Sequence, residues 1–104
     1  MNKKKSIVCQ PGDEIYAAGD KPQFAYLVIS GIVSIYSSSG TLLGSIGPDE
    51  VFGEISSYLE RLHSVTAIAK TNVVAVKIPK MELKKIIKNT HPVIMGMLRS
   101  TYLR

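Results

Sequence analysis

Apolar and polar positions change their spacing once along this chain, at Pro79. Upstream of it, short runs rich in β-branched and aromatic residues alternate with polar turns. The runs cover 14–17, 25–29, 32–36, 42–46, 65–69 and 73–78. Within 65–69, Val65, Ala67 and Ala69 face one way, and Thr66 and Ile68 the other. Between the runs stand Pro11-Gly12-Asp13, Gly19-Asp20, Ser30-Gly31, Ser38-Ser39-Gly40 and Gly47-Pro48-Asp49, residue types that supply turn dihedrals. Six or more short strands joined by tight turns predict a mainly β fold, a sandwich or a barrel closed against exposed edges. "DEIYAAG" from Asp13 echoes "DEVFGEI" from Asp49. Seven residues are too few for a repeat, and two matching corners of a double-sheet jelly roll produce the same likeness.

Downstream the period becomes helical. Pro79 has no N–H for a strand ladder and ends the last strand. "KMELKKIIKNT" places Met81, Leu83, Ile86 and Ile87 on one face and lysines on the other. Pro92 breaks this helix and suits the first position of a second one. That second helix carries Val93, Ile94, Met97, Leu98, Thr101 and Tyr102 as a stripe. No linker or low-complexity segment interrupts the chain. The expectation is one domain over 1–104, with a β-roll over roughly 5–79 and two C-terminal helices over roughly 80–104.

Composition narrows the class without naming a function. The chain has 104 residues, 45% of them hydrophobic and 20% charged, as in ordinary globular domains. No apolar run approaches the ~20 residues of a membrane span, and the N-terminus lacks the pattern of a secretory signal. Cys9 is the one cysteine, so no internal disulfide forms, which fits a cytoplasmic setting. The net charge of +5 is concentrated after residue 69. Those lysines are not interleaved with stacking aromatics, so a solvated helix face is expected rather than a nucleic-acid surface. Two histidines and one cysteine give no metal-ligand spacing.

The stretch 51–69, "VFGEISSYLERLHSVTAIA", raises the chemical question. "EISSYLE" forms about two turns of helix opening at Glu54. A helix N-terminus leaves N–H groups without partners and favours an anion. Gly53 just before it permits close backbone approach. A hairpin connection normally takes ~2–5 residues, so the extra length hints at something enclosed. A surface loop with one helical turn is the reading that spacing alone leaves open.

Taken together, "QPGDEIYAAGD", "AYLVISGIVSIY", "GTLLGSIGPDEVFGEIS" and "HSVTAIAK" resemble the cyclic nucleotide-binding domains of bacterial transcription regulators, gated channels and kinase regulatory subunits. "HPVIMGMLR" is similar to the helix that follows the β-roll there. The resemblance implies a jelly-roll β-barrel (a double-stranded β-helix) with a short cassette helix and two C-terminal helices. It also implies a cyclic nucleotide, cAMP or cGMP, as ligand, with no metal. Gly53-Glu54 match the family's Gly-Glu pair, whose carboxylate hydrogen-bonds the ribose 2′-hydroxyl. The amides of Ile55 and Ser56 would face the phosphate, and Ser64 would add a hydroxyl.

This chain departs from the pattern where the family places an arginine on the phosphate: that position is His63. Arginine carries a permanent charge and a two-pronged fork, and histidine carries neither. Arg61, two residues earlier, is the substitute cation within reach. Asp49 stands where the family often has glycine; aspartate tolerates a left-handed backbone, so the turn should survive. The expected function is a regulatory domain sensing cyclic AMP or a related nucleotide through a degenerate cassette. The alternative is a ligand-free protein-interaction module, with a homodimer or partner surface on the C-terminal helix at Met95, Met97, Leu98 and Tyr102. An enzyme is not expected. His63 and Ser64 are adjacent on an extended segment and point to opposite faces, which makes no base–nucleophile pair. His91 precedes Pro92 at a helix start and reads as a surface residue.

Overall fold

A computed structural model of the chain describes residues 5–88. The strands are β1 (Ser6–Cys9), β2 (Glu14–Tyr16), β3 (Phe24–Ser30), β4 (Val33–Ser37), β5 (Leu42–Ile46), β6 (Val51–Phe52), β7 (Val65–Ala69) and β8 (Val73–Pro79). Two helices interrupt and follow them, α1 (Glu54–Leu59) and α2 (Lys80–Lys88). All strand pairs are antiparallel, in two four-stranded sheets of order β1-β8-β3-β6 and β2-β7-β4-β5. This mainly β, two-sheet arrangement is consistent with the expected jelly roll.

The core lies between the sheets and combines large rings with small residues. Ala67, Ala69 and Ala75 are buried, which lets Tyr16, Tyr26 and Phe52 fill the space between the layers. Tyr26 stacks on Phe52 with centroids 5.1 Å apart, and Tyr16 meets Phe52 at 6.0 Å. Burying one such ring contributes ~1.5–3 kcal/mol. The alternation read in 65–69 follows from this packing: Ala67 and Ala69 face inward, and Val65 packs on the same cluster.

Three corners share one construction. In 10–13, 17–20 and 47–50 the fourth residue is an acid whose N–H donates to the carbonyl of the first, at 3.0, 3.0 and 3.2 Å. Its carboxylate accepts from the N–H of that first residue: Asp13 from Gln10, Asp20 from Ala17 and Glu50 from Gly47. The third residue is left-handed in each: Gly12, Gly19 and Asp49, the last at φ 68°. Asp49 thus holds the conformation that a type II turn demands at that place. The echo noted in the sequence is therefore one of corners, and its register is one residue off: Asp13 corresponds in role to Glu50, not to Asp49.

Two strands and one helix face differ from the sequence expectation. β1 pairs with β8 at one edge of its sheet, although "SIVC" lacked alternation long enough to predict it. β6 is only two residues long and pairs with β3. On α2, Leu83 is buried with Ala25 against Val51, Tyr58 and Ile78. Met81 and Ile86 are 66% and 54% exposed, so the expected apolar stripe narrows to the line through Leu83. The second helix expected from Pro92, with Met95, Met97, Leu98 and Tyr102, and also His91, lies outside the described residues. Among the described residues, no helix is long and apolar enough to cross a membrane.

Candidate functional site

The site begins where β6 ends. Gly53 has φ 78°, a left-handed value that residues with a Cβ seldom adopt. A Cβ there would also sit 3.3 Å from the Phe24 carbonyl oxygen, 3.4 Å from Tyr16 Cε2 and 3.6 Å from His63 Cε1. Both backbone and space therefore require glycine. The turn ends β6 and starts α1 without a side-chain cap. Glu54 opens the helix, where a carboxylate complements the helix dipole. The far end of α1 closes on a left-handed Glu60, with the Arg61 N–H donating to the Ser56 carbonyl at 3.0 Å.

Glu54 is 5% exposed, and its Oε2 has no hydrogen-bond partner among the described residues. Desolvation pushes its carboxyl from 4.5 up to about 7, against a smaller lowering from its own backbone N–H. Ser57, one helical turn on, is fully buried, and its Oγ likewise lacks a partner. An unsatisfied buried polar group costs ~1–3 kcal/mol, so two on one short helix form a concentrated deficit. Ser56 is buried beside them.

At the other end, the His63 ring stacks on Tyr16 with centroids 3.7 Å apart and planes 8° from parallel. Its backbone is pinned: the His63 N–H donates to the Asp20 carbonyl at 2.9 Å, and the Gly19 N–H donates to the His63 carbonyl at 2.7 Å. Burial lowers the imidazole pKa from 6.5, and nearby Asp20 raises it by less. The ring is therefore held neutral, with at most one N–H to offer. A cleft of about 350 Å³ opens beside it, walled by Tyr16, Phe24 and Tyr26, with Asp20, Lys21 and Gln23 also lining it.

Of the residues singled out from sequence, Gly53, Glu54, Ser56 and His63 are buried, and Gly53 stands beside the His63 ring. Ile55 lies between Glu54 and Ser56 in the first turn of α1. Arg61 and Ser64 are exposed. Tyr16, Gln23, Ser57 and the aromatic wall were missed. The stack joins residues 47 apart in sequence, and the hydroxyl of Ser57 reads as surface in a run of serines. Among the described residues, no group of three or more His, Cys, Asp or Glu is placed to hold a metal.

A model of the cyclic nucleotide-binding domain family matches residues 7–90 of this chain. Among solved structures, the EAL enzyme Bd1971 in its cGMP-bound form superposes with a TM-score of 0.81 at 22% identity, over 92% of this chain and 27% of that one. The regulatory subunit of a cAMP-independent protein kinase A from Trypanosoma brucei gives 0.79 at 23%, over 93% and 36%. At these identities the likeness is one of fold. Glutaminase 2 of Bradyrhizobium diazoefficiens is 37% identical over 68 residues, 65% of this chain but 11% of that protein. The chain thus spans only a minor part of each of these three relatives.

Proposed function

The chain belongs to the cyclic nucleotide-binding domain family, and from that premise we propose that it is a regulatory ligand-binding unit sensing cyclic AMP or a related nucleotide. The roll over about 5–79 closes as a jelly roll with α1 as its cassette helix, and residues 1–104 form one such domain in the cytoplasm. Glu54 accepts a ribose hydroxyl. The Ile55 and Ser56 amides face the phosphate, the Ser64 hydroxyl supports it, and Arg61 is the cation within reach. His63 replaces the arginine that the family resemblance implies. Losing one charge-assisted bond costs ~1.5–3 kcal/mol, one to two decades of affinity. Its role is regulation rather than catalysis, with a partner protein or second copy engaged through the C-terminal helix.

The observation that carries this is Glu54: a carboxyl buried at the start of α1, with one oxygen unmatched by the protein. Saturating cyclic AMP should raise the melting temperature, and Glu54→Gln should abolish most of that gain. Calorimetric titrations at about pH 6 and pH 8, straddling the raised carboxyl pKa, check it. Absence of both heat and stabilisation at either pH removes the proposal.

The neutral, stacked His63 favours a second reading, a ligand-free protein-interaction module on the same fold. The Trypanosoma subunit is described as cAMP-independent, and a triple mutant of it, one change introducing an arginine, is cAMP-bound. If His63→Arg confers tight cyclic AMP binding here, the rest of the pocket is whole.

A further inference from the structure

We infer that the edge of β5 is a docking surface for a second copy of this chain, through antiparallel pairing of the two β5 strands. Among the described residues, four strands end the two sheets: β1 and β6 in one, β2 and β5 in the other. A strand edge presents N–H and C=O groups to any passing strand, and proteins guard it with short length, charge or proline. β1 is four residues long and follows Lys5, whose ammonium reaches Glu82 at 2.7 Å. β2 is three residues long and begins with the exposed Glu14. β6 is two residues long and follows Asp49-Glu50. β5 has none of these guards: it is five residues long, LLGSI, and lies between Thr41 and Gly47.

The absence of charge extends well beyond the strand. Every Lys, Arg, Asp and Glu of the chain lies outside 22–48, although the chain carries a net charge of +5. Two like-charged copies therefore repel least when they meet at β5. Leu42 and Leu43 are each 58% exposed there. The ladder to β4 passes from Ile35–Gly44 to Tyr36–Leu42, a bulge that re-aims Leu43 and leaves Gly44 to Ile46 in regular register. A two-fold axis at Gly44 sets glycine against glycine, so no side chain meets its own copy where the backbones approach. It brings Leu42 and Leu43 of each copy toward Ser45 and Ile46 of the other, an apolar contact on both sides of the axis. A five-residue edge falls well short of the ~1,600 Å² of a standard stable interface, so the pairing is weak and depends on concentration.

The test is sedimentation equilibrium of the chain from about 10 µM to about 1 mM, with amide hydrogen exchange read at both ends of that range. The weight-average mass should rise about 1.5-fold or more, and exchange should slow at the higher concentration in β5 and not in β1. Gly44→Lys has room in the fold, since a Cβ there meets nothing within 4 Å, and it sets two ammonium groups against each other. It should weaken the association about fivefold or more, and an equimolar mixture with Gly44→Glu should restore it. Val8→Lys, at a position 71% exposed on the β1 edge, should leave the rise unchanged. A monomeric mass at about 1 mM overturns the inference. So does an association untouched by Gly44→Lys, or one whose slowed exchange lies outside β5, as a dimer held by the C-terminal helix would give. The wild-type exchange pattern decides the matter even if a variant fails to fold.

Discussion

Glu54 and His63 stand at opposite ends of one loop, are both 5% exposed, and are both ionisable, yet the fold treats them in opposite ways. His63 is provided for: a ring to stack on, a donor and an acceptor for its backbone, and a neutral state imposed by burial. Glu54 is buried with an oxygen left over and a pKa lifted to about 7. The lesson is that burial of an ionisable group does not by itself mark a site. An unsatisfied remainder does, because the protein bears its cost in the absence of ligand.

The largest expected effect tests the settled side. His63→Ala removes a stacked core ring and should destabilise by about 3 kcal/mol in denaturant unfolding. Because the folded-state pKa of His63 lies below 6.5, its stabilising contribution is present above 6.5 and lost as pH falls through the folded value. The variant should lack that acid-side decline. A change under about 0.5 kcal/mol would erase the contrast by showing the ring to be dispensable.

The next effect has the opposite sign. A carboxyl with its pKa raised from 4.5 to about 7 stabilises fully below 4.5 and loses that contribution as pH rises through about 7. Glu54→Gln should therefore be more stable than wild type at pH 8, by on the order of 2 kcal/mol, and nearly equal to it near pH 4. Equal stability at both pH values would mean that the carboxyl is not strained. Smallest of the three, Ser57→Ala should stabilise by about 1 kcal/mol at any pH, since it removes a buried hydroxyl with no partner. Destabilisation by the same amount would reveal a bond that Oγ makes in solution, and would leave Glu54 alone in deficit.

Much of this contrast was half legible in the chain. Gly53-Glu54 announced a helix start, and α1 begins at Glu54. Strands 42–46 and 65–69 were read to the residue, because turn residues flank the first and the second alternates. Asp49 was readable as a left-handed residue from its side-chain chemistry. The rest depended on contacts between distant segments. Nothing local in "DEIYAAG" indicates that Tyr16 will lie on His63, and nothing local in "EISSYLE" says that both serines are buried. The Met81–Ile86 stripe misled because only Leu83 reaches the cluster formed by Ala25, Val51, Tyr58 and Ile78, while Met81 and Ile86 stay exposed.

α1 and α2 are fastened to each other at two levels. Glu60, the left-handed residue at the end of α1, meets Lys84 at 3.0 Å and Lys80 at 3.7 Å, and Tyr58 packs with Leu83 beneath. The ion pairs alone are too exposed to hold much, but the apolar seam below them keeps the two axes in register. The two short helices therefore meet the roll as one packed unit, with α2 covering the far end of the helix that Glu54 opens.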